Sequence, residues 1–204
     1  ALKYFTEFWP SDNTDPHERI FIQWENSYFF PAITSCNHVT DWSKVSLKFK
    51  TDVAMMGKLG FDIVVGKLSE NDRSFAKAAV SNYKAVNDVI WHGDLYRLAD
   101  PNKENIAALI YVNENRNEAV FFSFFMQSGY APGVNAEPIK LRGLEASKNY
   151  EVKEINIYPG ENSPLANGKI YTGDFLMSTG INPLLSSKRS SVALSIKETA
   201  NTGQ

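Results

Sequence analysis

At 204 residues the chain has room for one large domain or two smaller ones, and it can bury roughly 70% of the surface its unfolded form exposes. Its 43% hydrophobic and 22% charged residues are those of an ordinary globular protein, and 13% aromatics suit a β-rich core or a sugar-handling protein. A net charge of −2 with scattered Lys and Arg excludes the basic footprint of a nucleic-acid binder, and no apolar run is long enough to span a bilayer as a helix.

In chain order, Tyr4–Trp9 reads as a short aromatic strand, followed by the loop Ser11-Asp12-Asn13-Thr14-Asp15. A helix is predicted from Pro16 to Tyr28, with Asp15 as N-cap, Pro16 at the first helical position and Glu18 completing a capping box. Ile20, Phe21 and Trp24 form its apolar stripe. Ala32–Cys36 reads as a second strand and Leu47–Met56 as a third, its run Val53-Ala54-Met55-Met56 buried and its end broken by Gly57-Lys58-Leu59-Gly60. The clearest element is a helix from Ser69 to His92. Ser69 caps it, Phe75, Ala79, Tyr83, Val86 and Ile90 recur at spacings of three and four, and Gly93 stops it.

The character of the chain changes near residue 100, where Asp100-Pro101-Asn102 reads as a turn and linker. Ile106–Val112 and Ala119–Phe125 form a hairpin through the polar turn Asn113–Asn117. Further strands are expected at Glu137–Leu141, Tyr150–Ile157, Lys169–Tyr171 and Val192–Lys197, with a frayed tail over Thr199–Gln204. The pattern is α/β followed by all-β, the second part reading as a small antiparallel sandwich.

Few residues carry chemistry. Asp12 lies in a tight strand-to-helix loop, the position that forms the catalytic face of a β/α barrel. From the residues alone two roles are open to it, an Asx-turn that orders the loop and a general acid. Asp15 reads as a helix cap rather than a catalyst, and Glu7 as a solvated or salt-bridged strand residue. His38 reads as a hydrogen-bonded structural histidine, and His17 and His92 as exposed helix-end residues. These three His residues lack metal-ligand spacing, so no metal is expected. Cys36 is alone, which precludes an internal disulfide, and on a small-residue strand it reads as inert packing. Phe121, Phe122, Phe124 and Phe125 read as core or interface rather than as a sugar platform.

Several blocks together resemble the α-galactosidases of glycoside hydrolase family 36, the melibiase and raffinase type. They begin with Phe8-Trp9-Pro10-Ser11-Asp12-Asn13-Thr14-Asp15, with Arg19, Ile22, Gln23 and Trp24. His38-Val39-Thr40, Asp52-Val53-Ala54-Met55 with Gly57-Lys58-Leu59-Gly60, and Gly93-Asp94-Leu95-Tyr96-Arg97-Leu98 follow. Leu141-Arg142-Gly143-Leu144 and Tyr171-Thr172-Gly173-Asp174-Phe175-Leu176-Met177 complete the series, in the family's order and over nearly the whole chain.

The resemblance implies the last part of a (β/α)8 barrel, entered at about its sixth strand, over residues 1–100, and a C-terminal β-sandwich over 101–204. It implies a retaining hydrolase of terminal α-galactosides, such as melibiose or raffinose, with no cofactor. Asp12 corresponds to the family's acid/base, whereas the nucleophilic Asp of the Lys-x-Asp motif has no counterpart here. Lys50-Thr51-Asp52 has the spacing but belongs to the Asp-Val-Ala-Met block. Two local departures, Glu25 after Trp24 and Asp41-Trp42 after the His38 block, bear on substrate detail. The chain by itself is therefore expected to be inactive. Uncovered apolar faces and open strand edges would favour a homo-oligomer. The competing reading is a non-catalytic carbohydrate-binding or structural β-sandwich module.

Overall fold

The computed structural model describes residues 3–126, 137–165 and 167–199. They form two compact units, one of residues 1–92 with 156–161 and one of 93–155 with 162–204.

The first unit alternates strand and helix. Phe8 makes a parallel bridge with Ser35, its N–H donating to the Thr34 carbonyl at 2.8 Å and its carbonyl accepting from Cys36 N–H at 3.0 Å. The rest of the aromatic segment Tyr4–Trp9 is not strand, and Tyr4 and Phe5 lie exposed. Helix α1 spans Pro16–Asn26 and buries Ile20 and Trp24. Asp15 caps it as expected, its carboxylate accepting from the N–H groups of His17 and Glu18. The reciprocal half of the box is not made by Glu18, because Asn13 Oδ1 accepts the Asp15 N–H at 2.8 Å.

Ala32–Thr34 is a turn of 3₁₀ helix, and strand β1 runs over Cys36–Thr40. Leu47–Ala54 is helix α2, not a strand. Ser46 Oγ accepts the Phe49 N–H, and Phe49 and Val53, one turn apart, share the buried face, so the apolar run ending in Met56 is the end of a helix and its closing turn. The segment Gly57–Gly60, expected as a break, instead leads into strand β2 (Lys58–Asp62), which pairs in parallel with β1 through registers such as His38 with Gly60. Gly57 is needed just before it: a Cβ there would sit 2.6 Å from Asn37 Nδ2 and 2.7 Å from the Ser35 carbonyl. Helix α3 spans Glu70–His92 with all five expected apolar positions buried, and Ser69 Oγ accepts the Asp72 N–H at 3.1 Å.

The second unit is a six-stranded antiparallel sheet, in spatial order β3 (Asp94–Ala99), β4 (Ile106–Val112), β5 (Glu118–Phe125), β8 (Ser191–Thr199), β6 (Asn149–Ile155), β7 (Lys169–Thr172). The expected hairpin is β4–β5, closed by Asn113, whose Oδ1 accepts from the N–H groups of Asn117 and Glu118 while Arg116 takes φ 52°. The Asp100–Asn102 turn joins β3 to β4 within this unit, and the division falls earlier, after His92. Glu137–Leu141 is reduced to one bridge, Ile139 with Ile181. A short helix α4, Gly173–Ser178, follows β7.

All four phenylalanines of β5 are buried. Phe121 and Phe125 join the core with Ile110, Tyr150, Leu176 and Leu194, and Phe122 stacks parallel to Phe124. Both faces of the central strands are thus apolar, as expected for core residues. The expected frayed tail, apart from Thr199 at the end of β8, lies outside the described residues.

Candidate functional site

The three parallel pieces, Phe8, β1 and β2, are each followed by a helix in chain order, so each delivers a loop at its C-terminal end. The first loop carries Asp12. Its carboxylate is exposed, and Oδ1 accepts a hydrogen bond from Trp9 Nε1 at 2.9 Å. The Trp9 ring lies flat on the imidazole of His38 in β1, with centroids 4.4 Å apart and 4° between planes. Sequence reasoning gave Trp9 no role.

Arg19, on α1, is only 4% exposed. Its guanidinium donates to the Ser11 carbonyl at 2.5 Å and to Asn37 Oδ1 at 3.3 Å. Asn37 in turn donates to the Ala54 carbonyl at 3.1 Å. The loop, the first residues of β1 and the end of α2 are therefore tied through one buried cation. Burial lowers the Arg19 pKa, and the negative charge of Asp12 opposes that shift.

His38 departs from its expected role. Its Nδ1 is buried and makes no hydrogen bond among the described residues. Its pKa is lowered, first by burial and then by the Arg19 charge, with Asp62 and Asp12 acting in the opposite sense. The imidazole beneath Trp9 is thus biased toward its neutral form. Beside it, a small cavity is lined by Arg19, Gln23, His38, Thr40 and Lys50. Lys50 is buried and donates to the carbonyls of Thr40 and Ser43 at 2.7 and 3.3 Å, holding the turn after β1.

The other candidates lie apart from this cluster. Asp52 is entirely buried on α2, with Lys48 Nζ at 2.7 Å from Oδ2 and Asn156 Nδ2 at 2.7 Å from Oδ1, which suits a structural ion pair. Cys36 opens β1 half-buried rather than packed in a closed strand. Its Sγ lies 3.3 Å from Glu7 Oε2, and burial, then Glu7, raises its pKa. Glu7 is exposed and paired with Lys58. His17 packs against Phe49, and His92 lies 3.7 Å from Asp88. Among the described residues, no three His, Cys, Asp or Glu side chains gather to hold a metal.

Two family models match the chain: Melibiase over residues 1–93, and the glycosyl hydrolase family 36 C-terminal domain over residues 106–195. The chain belongs to glycoside hydrolase family 36. The α-galactosidase AgaA of Geobacillus stearothermophilus is 32% identical over 167 residues, covering 78% of this chain and 22% of that protein. The crystal structure of AgaA superposes with a TM-score of 0.83 at 30% identity, covering 97% of this chain and 26% of its own. A variant of AgaA in complex with raffinose matches with a TM-score of 0.83 at 29% identity, over the same shares of the two chains. The chain spans about a quarter of the length of these relatives.

Proposed function

We propose that this chain supplies the acid/base half of a retaining α-galactosidase, with Asp12 as the general acid/base. Residues 1–92 would form the last three strand–helix units of a (β/α)8 barrel. The six-stranded sheet would belong to a C-terminal β-sandwich. The observation that carries the reading is the Asp12 carboxylate, exposed in the loop that follows a parallel strand segment and held by Trp9.

In the first step the proton on Asp12 moves to the glycosidic oxygen as the bond from that oxygen to the galactosyl carbon breaks. The same carbon bonds to a second carboxylate, which retention requires at roughly 5–5.5 Å; the family's Lys-x-Asp nucleophile, to which we assign that role, has no counterpart in the sequence of this chain. In the second step water gives a proton to Asp12 as its oxygen displaces the enzyme carboxylate, and galactose leaves with its α configuration restored. Substrates would be α-galactoside oligosaccharides of the raffinose kind, the ligand seen in the AgaA variant. No cofactor enters.

The test is Asp12→Asn in the native gene product, once the coding sequence upstream of Ala1 and the intact native mass have been determined. Turnover of raffinose should fall by about 10²–10⁴-fold. Azide should restore turnover of an activated aryl α-galactoside, giving α-galactosyl azide. An unchanged rate on raffinose would sink the assignment. The 204-residue chain alone should not turn over a chromogenic α-galactoside.

A further inference from the structure

Asp12 has a neighbour placed to govern its orientation. A surface aspartate can rotate about two side-chain bonds, and an acid that must meet one oxygen atom works best when that freedom is removed beforehand. Trp9 is 51% exposed, yet it is fixed on two sides. Its face rests on His38 and its edge N–H points at Asp12 Oδ1. The support is itself anchored, since His38 sits within β1, paired with β2. The loop backbone is tied to Asn37 through Arg19. A neutral imidazole supplies a flat surface without adding a cation that would compete for the carboxylate.

Building on the acid/base reading of Asp12, we propose that Trp9 is a positioning residue whose indole N–H, braced by the His38 ring, holds Oδ1 so that Oδ2 carries the transferable proton. An indole N–H can only donate, so it remains a partner of Oδ1 in both protonation states provided the proton resides on Oδ2. The stack and the hydrogen bond therefore select which oxygen does the chemistry.

The contribution appears only when the leaving group needs a proton. In the native enzyme, Trp9→Phe keeps a flat ring over His38 and removes the donor. With raffinose, whose leaving group is a poor one, kcat/KM should fall by about tenfold or more. With an activated aryl α-galactoside, which departs without protonation, it should fall less than about threefold. Equal losses on both substrates, or none, overturn the proposal, since a general structural defect lowers both alike. Asp12→Asn is measured beside it. If that variant shows no leaving-group split, the assignment of Asp12 fails. If it shows one and Trp9→Phe does not, the positioning role alone fails.

A second measurement does not depend on Trp9→Phe folding. In the native enzyme labelled with indole-¹⁵N tryptophan, the Trp9 indole N–H resonance should move upfield in Asp12→Ala. A resonance that stays in place overturns the contact.

Discussion

Asn156 and Asp52 are 104 residues apart in sequence, and the amide of one donates to the carboxylate of the other at 2.7 Å. Asn156 belongs to the short segment between β6 and β7 that clusters with the first unit. It takes φ 58°, in the left-handed region that Asn tolerates better than most residues. Its Oδ1 also accepts from Asn82 on α3 at 3.0 Å, and two residues on Tyr158 donates to Asp72 at 3.0 Å. One buried side chain thus joins α2, through Asp52, to α3.

Removing the carboxylate should therefore be costly. Asp52→Ala strips partners from both Lys48 and Asn156 in a fully buried site, and the first unit should lose about 3–5 kcal/mol. Asn156→Gly keeps the backbone conformation and loses only the hydrogen bonds, at about 1–3 kcal/mol. Asn156→Ala adds left-handed strain of about 1–2 kcal/mol on top. All four tryptophans (Trp9, Trp24, Trp42 and Trp91) lie in this unit, so urea unfolding followed by tryptophan fluorescence measures the effect. Equal midpoints for Gly and Ala at 156 would refute the backbone part of the argument.

Two glycines should respond very differently to the same added methyl group, one with a clear cost and the other with none. A Cβ on Gly173, at the start of α4, would collide with the Glu145 carbonyl and lie 3.1 Å from the Tyr150 ring. Neither neighbour can yield easily. Gly173 N–H is bonded to the Lys148 carbonyl, and Tyr150 is fully buried with its hydroxyl donating to the Arg116 carbonyl. Gly173→Ala should cost about 1–3 kcal/mol or more. At Gly66 a Cβ meets nothing within 4 Å, and Ala should be neutral within about 0.5 kcal/mol. Thermal unfolding followed by circular dichroism, with amide exchange over Asn149–Ile155, separates the two. A neutral Gly173→Ala would show that the β6–α4 corner is looser than drawn.

The contrast between what could and could not be read from the residues follows the range of the interactions. Helices α1 and α3 were legible because capping and three–four periodicity are local, and Asp15 and Ser69 do what their type and position suggest. The α2 segment reads as a strand from sequence because Val53–Met56 is an unbroken apolar run. The Ser46 cap and the Phe49–Val53 spacing were the available counter-signals. Strand β2 is hidden by Gly57 just before it and Gly60 within it; Gly57 is required by the approach of Asn37 and Ser35, and a Cβ on Gly60 would lie 3.2 Å from the Asn37 carbonyl. The pair between buried Glu154 and half-buried Arg189, with contacts of 2.6 and 2.8 Å across 35 residues, likewise has no sequence signature. At the candidate site, the loop and the family block single out Asp12 as the candidate, and Trp9 lies only three residues away. His38 and Arg19 join them only once β1 pairs beside Phe8 and α1 folds back over the loop.

The same His38 makes the first unit sensitive to mild acid. Burial and the Arg19 charge hold its folded pKa below the ordinary value of 6.5. As pH falls, the unfolded chain takes up the proton first, so this contribution to stability is complete above about pH 6.5 and is lost as pH falls through the lower folded value. Glu7 and Asp100 are also held low, Glu7 by Lys58 and Asp100 by the Asn102 backbone N–H. Their contributions share the sign but disappear only in the carboxylate range, below about pH 4.5. The window between about pH 5 and 6.5 therefore separates His38 from these carboxylates, and the His38→Phe comparison assigns the effect to it. Urea midpoints followed by tryptophan fluorescence should fall across that window in the wild-type chain, and His38→Phe should flatten the dependence while keeping an aromatic ring under Trp9. A wild-type midpoint that stays constant from pH 7.5 to 5 would mean that the imidazole is not held neutral, and the flat stack that braces Trp9 would then rest on a cation.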